Sequence, residues 1–99
     1  MRMLLKVTIP VEAGNGAIKD GTLSKTMGAA LERLKPEAAY FYADNGKRTG
    51  LIVFDMESPA DIPSIAEPFF IGFNANVEFT PVMDVADMQA GVERAMAAV

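Results

Sequence analysis

Neither cysteine nor histidine occurs among the 99 residues of this chain, and these two absences exclude more chemistry than any motif present adds. Without cysteine there is no disulfide framework, no thiolate metal site and no thiol nucleophile. Without histidine the commonest general acid–base group and metal ligand is gone, and Ser24, Ser58 and Ser64 have no imidazole to activate them. Basic residues are scarce too. Nine Lys and Arg against 13 Asp and Glu leave a net charge of −4, so no nucleic-acid partner is expected. Long hydrophobic runs are missing, since charge or proline interrupts every apolar stretch, and Lys6 follows Met1 too closely for a signal-peptide core. The chain therefore reads as soluble and cytoplasmic, with no membrane partner. Phosphate loops are incomplete: Gly16 to Gly21-Thr22 has the glycine spacing of a P-loop without its lysine, and Gly14-x-Gly16 lacks the third glycine of a dinucleotide fingerprint. No cofactor and no metal site is expected.

What is present is one domain, residues 1–99, with an apolar fraction of 51%. Met3, Leu5, Val7 and Ile9 alternate with Leu4, Lys6 and Thr8, which predicts a first strand over 3–9 ending at Pro10. After a loop at Gly14 and Gly16, the spacing of Leu23, Met27, Ala30, Leu31 and Leu34 predicts one helix over about 16–35, stopped by Pro36. Asn45-Gly46 tolerates the two positive φ angles of a type I′ turn, so residues 38–44 and 47–56 form a tight hairpin with Asp44 opposite Lys47 and Tyr40 opposite Leu51. Ser58-Pro59-Ala60-Asp61 starts a second helix with Ile62, Ile65, Ala66 and Phe69 on its buried stripe, although Pro68 should kink or loosen it. A fourth strand over 76–83 and a last helix, capped by Asp84 and bearing Val85, Met88, Val92 and Met96, complete the chain. Met27, Met88 and Met96 read as core filler.

This order is α+β: the ferredoxin-like split βαβ (βαββαβ) with an extra C-terminal helix, and strand one between strands three and four. Two helices cover one sheet face. The other carries Leu4, Tyr40, Tyr42, Leu51, Val53 and Val82 among polar residues, a larger apolar area than soluble monomers usually expose. A second copy of the same sheet is the expected cover, giving a homodimer.

The topology and face pattern, over about the whole chain, resemble the dimeric α/β-barrel superfamily, in which two ferredoxin-like sheets close face to face. Locally, Lys35-Pro36-Glu37-Ala38-Ala39-Tyr40-Phe41 and Ile65-Ala66-Glu67-Pro68-Phe69-Phe70 resemble stretches of small bacterial proteins of no established function. The resemblance implies two sheets pairing as a barrel around a small apolar or aromatic ligand. Proton-transfer or cofactor-free oxygenase chemistry is one implied activity. The alternative is a non-catalytic homodimeric module whose sheet interface is filled. The haem branches of the superfamily rely on a histidine this chain lacks.

One constellation has chemical potential. Lys6, Tyr40, Tyr42, Asp55 and Glu78 share the predicted open face, where burial raises a carboxylate pKa and a nearby ammonium lowers it, as a general base requires. These five are the candidate catalytic residues. An ion pair of Lys6 with Glu78 or Asp55, plus two tyrosines packed at a seam, is the structural alternative. Arg48 beside Lys47 is either an anion contact at the hairpin end or a solubilising turn charge, and Glu67 is either a solvated helical acid or points with Asn74 and Asn76 toward a cavity mouth.

Overall fold

Strict alternation at the start of the chain produces a central strand: β1 (Arg2–Ile9) puts every second side chain into the core. The computed structural model describes residues 1–99. The hairpin strands β2 (Ala38–Asp44) and β3 (Lys47–Asp55) pair in the expected register, from Ala38 opposite Val53 to Asp44 opposite Lys47. Asn45 and Gly46 have φ of 52° and 76°, the left-handed pair that a type I′ turn needs. With β4 (Asn76–Pro81) the strands form one antiparallel sheet in the order β2-β3-β1-β4. Strand one thus lies between strands three and four, as the split βαβ order predicts.

The single helix expected over 16–35 is two: α1 (Val11–Lys19) and α2 (Thr22–Leu34). Gly21 takes a φ of 82° between them, and Asp20 accepts hydrogen bonds from the backbone N–H (2.9 Å) and hydroxyl (2.7 Å) of Thr22. This local bonding also holds the Asp20 carboxyl below its ordinary pKa. Gly14 and Gly16, expected in a loop, are helical, with Ala17 buried against the sheet.

Ser58 and Asp61 form a capping box over a 3₁₀ turn (Pro59–Asp61), which leads directly into α3 (Ile62–Phe73). The helix runs through Pro68 and ends at Asn74, whose left-handed conformation stops it. Ile65, Ala66, Phe69 and Phe73 are its buried stripe, and they meet Leu5, Val7, Ile52 and Phe54 to form the core. The last helix, α4 (Val85–Ala97), has Asp84 as its N-cap, accepting from the Asp87 N–H at 2.8 Å.

Two further expectations fail. The chain forms one open four-stranded sheet, not two sheets pairing as a dimeric α/β barrel; β2 and β4 are free edges. The open face also carries what sheet-on-sheet stacking would have to bury: a Lys6–Asp44 ion pair (2.7 Å) that spans β3, with Glu78 opposite Lys6. Nor are Met88 and Met96 core filler, since every residue of α4 is exposed. No helix is long and apolar enough to cross a membrane.

Candidate functional groove

The five open-face candidates do not converge on one point. Lys6 pairs with Asp44, the acid across the sheet, and not with Glu78 or Asp55. That hydrogen-bonded pairing raises the Lys6 pKa against the opposing effect of partial burial. Thr49, the β3 residue on the same face, is only 4% exposed. Glu78 sits opposite Lys6 on β4, and Tyr40 and Tyr42 stand on the edge strand with their side chains largely in water. Asp55 lies at the far end of the sheet, opposite Arg2, where the N-terminal ammonium donates to it at 2.6 Å and lowers its pKa. With a single sheet there is no inter-sheet space, so the expected ligand pocket between sheets is absent.

A groove of about 890 Å³ lies on the opposite face, between α2 and the β2–β3 side of the sheet. Three properties of the sequence create it. First, β3 presents Gly50 where a side chain would fill the floor; a Cβ there would come within 3.2 Å of the Phe41 ring. Second, Phe41 and Ala43 on the edge strand form a low wall, and Phe41 remains 56% exposed. Third, α2 buries no residue fully, so Leu23, Met27 and Leu31 roof the groove without closing it. Val7 and Ile9 of β1 form the back.

One end of this apolar groove carries a cation. Arg48 pairs with Ile9 of β1 and Ala43 of β2, which turns its side chain toward the helices. Its Nη2 donates to Asn15 Oδ1 at 3.0 Å and its Nη1 to the Val11 carbonyl at 3.5 Å. No carboxylate lies within 4 Å of it; the ion pairs of the chain involve Met1, Arg2 and Lys6. Gly14 of α1 makes room for this guanidinium, because a Cβ at that position would stand 2.7 Å from Nη1. A charged head over Val11, Asn15 and Gly14 with an apolar trough beside it is equipped to orient an amphiphilic acid.

Sequence reasoning placed Arg48 at the hairpin end, as an anion contact or a solubilising turn charge, and not on the face toward the helices. The signal that places it was available: the register that puts Gly50 and Ile52 inward also puts Arg48 inward, two residues earlier on β3. Of the five open-face candidates, Tyr42 alone also borders the groove. Glu67 is an exposed helical acid on α3. A smaller cleft of about 320 Å³ separates α2 from α3, bridged by Arg33, which donates to the Ser64 hydroxyl at 2.7 Å and carbonyl at 3.3 Å.

No curated protein matches this chain. A family model described as a domain of unknown function, DUF3303, matches residues 1–96, and with nearly its whole length covered the chain belongs to that family.

Proposed function

We propose that the α2 groove binds a small organic acid with an apolar alkyl or aryl body. The acid group is held by Arg48, and the body lies over Gly50 between Phe41 and Met27. The observation that carries this reading is an arginine turned inward, lacking a carboxylate partner, at the end of an apolar groove. A guanidinium has five N–H donors, and Arg48 uses one on Asn15 and one on Val11. The remaining donors suit the planar oxygens of a carboxylate. The groove volume of about 890 Å³ falls within the range of sites that enclose small molecules. Ser24, from the first turn of α2, adds a hydroxyl to the lining.

Calorimetric titration with decanoate and decanol tests the reading, because the two share an apolar chain and differ in charge. A hydrogen bond to a charged group contributes about 1.5–3 kcal/mol, so decanoate should bind at least about tenfold more tightly than decanol. Arg48→Gln should remove that preference while leaving the weak binding of decanol. Absence of binding by either compound, or equal preference in the wild type and the variant, would overturn it.

A further inference from the structure

The last helix poses a separate problem. α4 is 13 residues long, about 20 Å at 1.5 Å per residue, and all of it is exposed. The molecule measures 55 × 28 × 19 Å with a radius of gyration of 15.9 Å, where a compact chain of this length has about 13 Å. A helix of that length is marginal in water unless its apolar side is packed. Val85, Met88, Val92 and Met96 recur at helical spacing on one side, each 43–67% exposed, while Asp87, Glu93 and Arg94 lie off that stripe. The root of the helix is not a loose tether. Arg2 holds Asp84 at 3.3 Å and Asp87 at 3.5 Å, and the Val82 N–H donates to the Arg2 carbonyl at 3.1 Å.

The same chain carries a second unpartnered surface that matches this stripe. On the open sheet face Leu4 and Val53 stand side by side, and Leu51 and Tyr40 are neighbours in the next row, which Lys6 continues on β1 beside Leu51. A helix lying diagonally along these residues is narrow enough to leave Asp44 and Glu78 in water and Lys6 at its edge, still paired with Asp44, which a stacked sheet is not.

We propose that α4 is an exchanged arm: in a two-fold pair of chains, the apolar stripe of each α4 lies on the Leu4, Tyr40, Leu51 and Val53 patch of the other copy. The occupant is a second copy because one chain supplies both halves of the contact. A two-fold arrangement then leaves neither half exposed, whereas any one-way contact leaves one of each and propagates. The size is sufficient. Full burial removes roughly 60–120 Å² from an aliphatic side chain and about 150–250 Å² from an aromatic one. Eight such groups, already partly covered, contribute on the order of 600 Å² per copy, which reaches the lower end of standard interfaces, about 1,200 Å² in total.

Sedimentation velocity and hydrogen exchange on the full chain test this arrangement. The expected result is a dimer at micromolar concentration, with α4 amides gaining protection as concentration rises. Val92→Glu on the helix and Leu51→Glu on the sheet should each convert the dimer to a monomer that keeps its strand content by circular dichroism. Because the chain has no cysteine, Val92→Cys and Leu51→Cys proteins can be mixed with a short bis-maleimide. The mixture should yield the cross-linked heterodimer faster than either protein alone yields a homodimer. A wild-type monomer overturns the proposal whether α4 is frayed or folded back on its own sheet. So does a dimer that survives Val92→Glu, and so does a mixture that cross-links no faster than its components.

Discussion

On the β4 side of the helix-covered face, α3 buries Ile65, Ala66, Phe69 and Phe73, whereas on the β2 side α2 buries no residue fully. Both helices are amphipathic and each faces the same sheet, so the difference lies in what the sheet offers them. Under α3 the strands present large side chains such as Leu5, Phe54 and Phe79; under α2 they present Gly50, Ala39 and Ala43, with the half-exposed Phe41 at the edge. Large groups interdigitate with α3 and exclude water. The small ones leave a gap beneath α2 that Met27 reaches into without filling. Packing quality on one sheet face is therefore decided strand by strand, and the looser flank is where binding is proposed.

Truncations on the two flanks should separate them most. Phe69→Ala, in the packed half, should cost about 3–5 kcal/mol in urea unfolding, while Met27→Ala, over the groove, should cost about 1 kcal/mol. Equal losses would break the comparison. A smaller effect is expected at the turn that sets the edge strand in place as the wall of the groove. Gly46 has a positive φ, so Gly46→Val should destabilise by about 1 kcal/mol or more. Lys47→Ala should stay within about 0.5 kcal/mol. Thermal melts of the two variants check this pair.

The smallest effect concerns acid. Asp20, Asp55 and Asp84 are each held below the ordinary aspartate value of 3.8 by hydrogen bonds, from Thr22, the N-terminal ammonium and the Asp87 N–H. A depressed folded-state pKa stabilises the fold fully above the unfolded value, and the contribution is lost as pH falls through the lower folded value. Melting temperature should therefore be flat near neutrality and decline gently below about pH 4. All three groups are exposed, so the decline should shrink in added salt. A loss beginning near neutrality would mean that some other group controls stability.

The hairpin register was fully legible, because a two-residue Asn-Gly loop and a period of two leave no freedom. The C-terminal cap was legible for a similar reason, since Asp84 and Asp87 stand at capping-box spacing. Gly14 and Gly16 misled, because glycine's low helix propensity suggested a loop, yet tertiary contact keeps α1 helical and Arg48 occupies the space beside Gly14. The break at Asp20-Gly21 was visible only as a weak helix former. The apolar open face suggested a partner sheet, but pattern alone did not show that Lys6 reaches across β3 to Asp44. The groove was the least legible feature, since it arises from the absence of a side chain at Gly50 as much as from the presence of Arg48.

The turn at Asp20-Gly21 and the Arg33–Ser64 tie also make α2 a beam carried on two abutments, one joined to α1 and the other to α3. A beam held this way resists lifting at either end while its span stays free. The clearance beneath it is then set by the side chains hanging from the middle, above all the flexible thioether of Met27. Guests of different girth can be received by rotating that one side chain, with both supports left in place.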